Sequence, residues 1–200
     1  MKALLLACCL TLFPVIRTLG QTPDVNQRLS GLIDSLYAAD QRTVLIKPAD
    51  SAAAAYQRVI RTNFPAVQRI LDVSGYPTYA RVGRESAQHY FLLVQHSDFA
   101  PAFQQRALKR MRREVRRRQA SGQQYAYLVD RIAINRGQPQ VYGTQVLMSA
   151  NTTVKPCVAP AQLNKRREAV GLEPIEAYLK KCNAAFYEMN PQQRNQPMAR

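Results

Sequence analysis

Apolar positions along most of the chain recur every three or four residues, which is the spacing that aligns side chains on one face of a helix. Leu29, Ile33 and Leu36 follow this repeat directly after Asp24, a residue that can cap a helix N-terminus. Similar repeats, bounded by glycine, proline or capping residues, predict helices over 52–63, 65–74, 84–96, 101–121, 123–135, 161–170 and 174–187. In this interpretation Asp98 caps the helix that begins at Pro101.

The pattern changes after Gly137. Residues 140–148 and 152–158 are rich in valine, threonine and tyrosine, and the turn-forming residues 149–151 separate them. These segments predict one β-hairpin beside the helices. The predicted fold class is mainly α: a compact multi-helix single domain with one small β-hairpin near residues 140–158.

The first twenty residues have the features of a signal peptide. Lys2 precedes an apolar run over 3–16, and the small residues Thr18 and Gly20 follow it, which predicts cleavage after Gly20. This run is shorter than the ~20 residues that span a bilayer. A retained anchor and lipidation at Cys8 are the alternatives. The predicted organisation is a signal peptide over 1–20, a helical domain over 21–189 and a disordered tail over 190–200, in a periplasmic or secreted protein without a transmembrane segment after cleavage.

Charge and cysteine usage describe the mature chain further. Loss of Lys2 and Arg17 with the signal peptide lowers the formal net charge from +15 to +13. Two cysteines remain, Cys157 and Cys182, in a compartment that permits oxidation. A disulfide between them and a pair of free thiols are both compatible with the sequence, because geometry decides between these outcomes.

Positive charge is concentrated between Lys109 and Arg118, where seven of ten residues are basic. Met111 and Val115 keep the apolar repeat, so most of this helix's circumference is cationic. This basic face predicts contact with an anionic surface, and the alternative is an ordinary solvated helical face. Nucleic acid is a disfavoured partner, because the chain is expected to be exported and the segment has no aromatic residue for base stacking. The residues proposed for anionic contact are Lys109, Arg110, Arg112, Arg113, Arg116 and Arg117.

A dense group of polar residues lies between positions 88 and 145. His96 is the candidate general base, with Asp98 or Asp130 as the carboxylate that orients its ring. Arg131 could hold a carboxylate or phosphate, or tie two helices together. The alternative for His96 is a structural hydrogen bond to Asp98, Asp130 or Tyr142.

Neutral polar side chains beside tyrosines suggest a site for a small glycan or peptide. Alternating side chains of a hairpin that face solvent would give the same pattern. The residues predicted to bind such a ligand are Gln95, Gln104, Arg131, Gln140, Tyr142, Thr144 and Gln145.

Neither a metal nor a cofactor is predicted. His89 and His96 are two helical turns apart, with Glu85 one turn before His89, but this spacing does not match the usual helical zinc motif. The chain has no glycine-rich phosphate loop and no cysteine pair spaced for zinc in its mature part.

Several segments together resemble an uncharacterised bacterial domain family: QHSD at 95–98, Phe103 with Gln104, YAYLVDR at 125–131, GQPQVYGTQ at 137–145 and RREAVGLEPIEAYL at 166–179. The resemblance extends from about Asp40 to Leu179 and implies a bacterial source and a shared pocket or core. It implies no activity, cofactor or substrate.

Two functional hypotheses follow from the sequence. The first is an exported envelope protein that binds a small polar ligand or an envelope protein partner. The second is a hydrolase of cell-envelope glycan or peptide, with His96 as general base and Arg131 or Gln145 stabilising developing charge.

Overall fold

The computed structural model describes residues 24–193. Seven α-helices and one two-stranded sheet form this part of the chain. The elements are α1 (Val25–Arg42), α2 (Ala49–Arg69), α3 (Tyr79–Gln95), α4 (Pro101–Arg116), α5 (Gly122–Asn135), β1 (Val146–Leu147), β2 (Thr153–Val154), α6 (Leu163–Glu168) and α7 (Ile175–Met189). The prediction of a mainly helical single domain with a small hairpin is confirmed.

The signal peptide predicted over 1–20 lies outside the described residues. Of the tail predicted to be disordered, Pro191–Gln193 form a 3₁₀ turn, and residues 194–200 also lie outside the described part. No helix within residues 24–193 has both the length and the apolar character needed to cross a membrane.

Helices α1 and α3 lie side by side and form the centre of the fold. Ile33 of α1 and Tyr90 and Val94 of α3 are fully buried in one apolar core. Asp34 of α1 contacts His89 of α3, and Asp40 of α1 contacts His96, the residue that follows α3. The contacts advance in the same direction along both helices, so α1 and α3 are parallel neighbours.

Helix α2 differs from the sequence prediction. Two helices were expected, the second beginning at Pro65, but α2 runs unbroken through Pro65. A proline removes one helical hydrogen bond, the one that residue 61 would accept. Arg61 is exposed, so water can reach the backbone at this position, and the two predicted segments form one continuous helix. A π-helical turn, Ile70–Ser74, follows and ends at Gly75, whose φ is +76°.

Helix α3 begins earlier than the sequence predicted, at Tyr79 instead of near position 84, but Gly83 interrupts it with φ +79°. The uninterrupted part of α3, which follows Gly83, therefore matches the helix predicted over 84–96. Helix α4 ends at Arg116, five residues before the predicted end, and packs with α5 through Phe103, Ala107, Leu128 and Ile132.

The hairpin is shorter than the valine-rich segments suggested. Val146 pairs with Val154 and Leu147 with Thr153, in antiparallel register. Gln140 forms a separate parallel bridge with Cys157, which connects the segment after α5 to the segment after β2. The first C-terminal helix is also shorter than predicted, because Pro160–Gln162 form a 3₁₀ turn before α6.

Candidate functional site

The carboxylate of Asp40 holds the ring of His96. Asp40 lies in the last turn of α1, and His96 follows the last residue of α3. Nδ1 of His96 is 3.1 Å from each carboxylate oxygen. An ionised carboxylate only accepts hydrogen bonds, so Nδ1 is the donor to Asp40, and in the neutral form of this ring Nε2 is an acceptor. No described side chain or backbone group bonds Nε2.

Asp40 is itself held firmly. Its side chain is 1% exposed, against 20% for His96. The Gln41 side chain donates to Oδ2 of Asp40 at 2.8 Å, and the Thr43 hydroxyl donates to the Asp40 carbonyl oxygen at 2.7 Å. Burial and the Gln41 bond fix the orientation of the carboxylate, and through it the plane of the imidazole, while the Thr43 bond holds the Asp40 backbone.

Tyr56 of α2 brings an aromatic wall to the same place. Its ring meets that of His96 edge to face, with centroids 5.5 Å apart. Burial raises the pKa of the Tyr56 hydroxyl, and the negative charge of Asp40 raises it further, while Arg131 acts in the opposite direction. The hydroxyl therefore stays protonated and can donate a hydrogen bond near neutral pH.

A second charged pair, Asp98 with Arg131, lies on the same side of the molecule, since both charges act on Tyr56. Nε of Arg131 donates to Oδ1 of Asp98 at 2.9 Å, and Nη2 donates to Oδ2 at 2.5 Å. Gln104 and Asn135 also donate to Oδ1, at 3.1 and 2.9 Å. Burial alone would raise the pKa of Asp98, but the bonds and charge of Arg131, with the two amides, lower it.

A small open cavity of about 190 Å³ adjoins this pair. It is lined by Asp98, Pro101, Gln104, Ile132, Asn135 and Arg136. The group formed by Asp40, Tyr56, His96, Asp98 and Arg131 is called the α1–α3 site below. It offers a free ring nitrogen, a protonated phenol and a paired carboxylate and guanidinium within one region of the surface.

Two expectations about this region require correction. Asp98 does not cap α4; Ala100 occupies the cap position, because the Asp98 carboxylate is engaged by Arg131. The expected partners of His96 were Asp98, Asp130 and Tyr142, and none of them bonds its ring; Asp40 does. Asp40 and Tyr56 are thus the members of the site that sequence reasoning missed.

Asp130 serves a different part of the molecule. It is fully buried on α5, and its carboxylate accepts from the backbone amides of Val141, Tyr142 and Thr144 at 2.7–2.9 Å. The Thr144 hydroxyl donates a further bond of 2.9 Å. Four donors on one carboxylate fix the loop over residues 140–145 to α5.

The other predicted ligand-binding residues of this loop also bond within the protein. Gln140 is fully buried; its side chain donates to the carbonyl oxygens of Gln145 and Lys155 and accepts from the Gln145 amide, at 2.8–2.9 Å. The Gln145 side chain donates to the Thr144 hydroxyl at 3.3 Å. Gln95 ends α3, and its carbonyl oxygen accepts from Gln104. These polar atoms are engaged by the protein itself.

Tyr142 is half-buried beside the same loop. Burial raises the pKa of its hydroxyl, and the neighbouring Tyr125 and Asp130 raise it further. The positive charges of Arg112 and Arg166 lower it. Tyr142 therefore lies near the basic helix α4 and not in the α1–α3 site.

Two arginines complete the loop's support, and sequence reasoning did not single them out. Arg167 is 1% exposed and donates to the carbonyl oxygens of Tyr142 and Glu173 at 2.7 and 2.6 Å. Arg166 donates to Val141 and Val158 at 2.7 and 2.6 Å. The buried Arg167 cation, whose hydrogen bonds all go to carbonyl oxygens, joins α6 to the loop and to the segment before α7.

The second histidine forms a matching pair. Nδ1 of His89 is 2.8 Å from Oδ1 of Asp34, and the Ser86 hydroxyl donates to Oδ2 at 2.9 Å. The Tyr37 ring stacks on His89 with centroids 3.9 Å apart. Unlike Asp40, Asp34 is 45% exposed. No group of three histidine, cysteine or acidic residues in 24–193 could hold a metal ion.

The bridge considered between Cys157 and Cys182 is not formed, and both residues are free thiols in the structure. Sγ of Cys157 lies 3.5 Å from the Lys155 carbonyl oxygen. Burial raises the pKa of the Cys157 thiol, as does the charge of Asp130, so the thiol is protonated and weakly reactive at neutral pH.

Comparison with other proteins places the chain in a family. No curated protein and no solved structure matches it. The profile of one family matches residues 24–189, which include every helix from α1 to α7 and the whole α1–α3 site. The chain belongs to this family of unknown function, DUF6624.

Proposed function

We propose that this chain is an exported bacterial envelope protein that binds a small polar ligand at the α1–α3 site. The observation that carries the proposal is the His96–Asp40 pair, in which a buried carboxylate fixes the ring and leaves Nε2 uncommitted among the described residues. A free nitrogen of fixed direction is an acceptor for a ligand hydroxyl or amide.

The surroundings suit a small polar glycan or peptide. The Tyr56 ring gives an apolar wall beside the His96 ring, and its protonated hydroxyl is a donor. Asp98 and Asn135 line the ~190 Å³ cavity and add an acceptor and a donor there, while Arg131 binds the Asp98 carboxylate. This location differs from the loop over 140–145 that the sequence favoured, because that loop uses its polar groups internally.

Binding is tested by comparing His96→Asn with His89→Asn. The two histidines have similar exposure, 20% and 17%, and each bonds an aspartate of α1, so His89 is a matched control. The probe is muramyl dipeptide, a soluble envelope fragment that carries both a sugar and a peptide, titrated by calorimetry. We expect His96→Asn to weaken binding at least tenfold and His89→Asn to change it less than twofold. Equal effects of the two variants, or no binding by the wild type, would contradict the proposal.

Export is tested separately. The chain expressed with residues 1–20 should be recovered from the periplasm or medium with Gln21 as its first residue, read by N-terminal sequencing. Recovery from the cytoplasm with Met1 intact would contradict it.

A hydrolase is the second candidate, and the Asp40–His96 pair favours it. A histidine whose Nδ1 is held by a carboxylate is suited to accept a proton at Nε2 from an attacking water. In this proposal Asp40 replaces Asp98 and Asp130 as the orienting carboxylate, and Arg131 stabilises developing negative charge. The test is release of soluble fragments from purified peptidoglycan: turnover abolished by His96→Asn and kept by His89→Asn supports an enzyme, and binding without turnover supports the first candidate.

A further inference from the structure

Helix α4 carries more positive charge than its surroundings neutralise. Arg110 donates to the Leu71 carbonyl oxygen, and Arg106 lies 3.6 Å from the Asp72 carboxylate. Arg117 pairs with Glu114 at 3.2 Å. Two of the six residues expected to contact an anionic surface, Arg110 and Arg117, are thus engaged with other groups of the protein.

The remaining four form a regular stripe. Lys109, Arg112, Arg113 and Arg116 are all exposed, and none of them pairs with an acidic residue of the described chain. Their spacing of i, i+3, i+4 and i+7 keeps them within an arc of about 100°, over about 10 Å of helix axis. We call these four residues the α4 stripe.

The α4 stripe points directly away from the core. The opposite face of the helix, with Phe103, Ala107 and Met111, is buried. Helix α4 therefore has no apolar face with which to enter a bilayer, and any contact through the stripe is electrostatic. It would lie flat against a surface with its axis parallel to that surface.

A cation-lined hollow lies beside the stripe. A cavity of about 270 Å³ is lined by Arg106, Lys109, Arg110 and Arg113. Lys109 and Arg113 belong to both the cavity and the stripe, and no acidic residue is part of the lining. A hollow of this charge suits a phosphate group, because guanidinium and ammonium groups are the usual phosphate donors in proteins.

We propose that the α4 stripe docks the protein on an anionic phospholipid membrane, with a lipid phosphate in the Lys109–Arg113 cavity. The proposal is independent of the ligand expected at the α1–α3 site, which lies at other residues. An anionic bilayer fits the stripe because it offers many phosphates in one plane, matching four cations on one helical face. Each such cation near an anionic bilayer strengthens partitioning by about fivefold.

The experiment compares two variants that remove the same charge. One is Lys109→Gln/Arg112→Gln/Arg113→Gln/Arg116→Gln, and the matched control is Arg58→Gln/Arg69→Gln/Lys165→Gln/Lys180→Gln, at exposed cations dispersed over α2, α6 and α7. Full chains are sedimented with vesicles of phosphatidylcholine containing 30% phosphatidylglycerol, at ~0.1 M salt, and with pure phosphatidylcholine vesicles as the baseline.

We expect the stripe variant to lose at least tenfold in partitioning onto the anionic vesicles, and the control variant less than threefold. Binding should also fall as salt is raised, because the charges are exposed. Equal losses for both variants would show dependence on net charge alone and overturn the proposal, as would equal binding to neutral vesicles.

Two further measurements test free phosphate and nucleic acid as alternative ligands of the α4 stripe. Inorganic phosphate at 10 mM that releases the protein from vesicles would show a site for free phosphate and overturn membrane docking. A stripe variant that loses binding to duplex DNA but still binds vesicles would overturn membrane docking in favour of nucleic-acid binding. Should the fourfold variant not fold, Lys109→Gln/Arg113→Gln and Arg112→Gln/Arg116→Gln, each made separately, replace it, and each should lose at least fivefold.

Discussion

His96 and Asp40 stand 56 positions apart in the sequence, yet Nδ1 of the histidine lies 3.1 Å from both oxygens of the aspartate. The pair joins the end of α3 to the end of α1. His89 and Asp34 repeat the arrangement two turns earlier, at 2.8 Å. The two pairs differ mainly in burial, since Asp40 is 1% exposed and Asp34 45%.

This difference predicts unequal effects of two alanine substitutions. Asp40→Ala leaves the partly buried donors of His96 and Gln41 without an acceptor and should lower the free energy of unfolding by about 2 kcal/mol or more. Asp34→Ala breaks a solvent-exposed pair and should cost less than about 1 kcal/mol. Urea denaturation at pH 7 measures both, and equal costs would show that burial is not the cause.

The Asp130 carboxylate predicts a local as well as a global effect. Asp130→Asn replaces an acceptor of four bonds by a group with one acceptor oxygen, and should cost about 3 kcal/mol or more. Thr144→Val removes a single bond and should cost about 1 kcal/mol. Trypsin should cleave Asp130→Asn faster than the wild type after Arg136, the exposed residue before the loop. Unchanged cleavage would show that Asp130 does not hold the loop.

Asp98 predicts a dependence of stability on pH. Its pKa in the folded state is below the ordinary value of 3.8. The unfolded chain therefore binds the proton more readily, so the stabilisation is fully present above the ordinary pKa and is lost as pH falls through the folded value. The difference in unfolding free energy between wild type and Asp98→Asn should be constant from pH 7 to about 5 and shrink toward pH 2. A difference that does not change with acid would contradict this.

Two glycines predict opposite results for the same substitution. Gly31 lies inside α1, and a Cβ there meets nothing within 4 Å, so Gly31→Ala should stabilise the protein by about 0.5–1 kcal/mol. Gly143 has φ +67°, and a Cβ there would lie 3.2 Å from Leu163 and 3.3 Å from Ile175. Gly143→Ala should therefore destabilise, by about 1–3 kcal/mol. Thermal unfolding of each variant beside the wild type measures both changes, and we expect a higher Tm for Gly31→Ala and a lower Tm for Gly143→Ala.

The sequence predicted the helices, the hairpin and the polar region, because periodicity and turn residues are local signals. It did not predict the partner of His96, because an aspartate 56 positions away gives no local signal. One clue was present: Asp34 and Asp40 are six apart on one predicted helix, and His89 and His96 are seven apart on another. Two acid and histidine sets of nearly equal spacing indicate that the two helices pack side by side.

The role of the 137–145 segment was also beyond sequence reasoning. Gln140, Thr144 and Gln145 have the composition of a ligand site, and composition does not show whether donors face a cavity or the chain's own carbonyl groups. Asp130 and Arg167 decide this by reaching the segment from α5 and α6. Both are charged residues that predict surface exposure in isolation, and both are buried here because the loop's backbone supplies their partners.

Because α1 and α3 are parallel, both aspartate–histidine contacts depend on how far one helix is shifted along the other. Spacings of six and seven residues correspond to about 9 and 10.5 Å of helix rise, so both histidines meet their aspartates in one alignment only. A shift of α1 by one turn, about 5.4 Å, would separate both pairs at once. A force on the N-terminal end of α1 that displaces the helix along its axis would therefore separate Asp40 from His96.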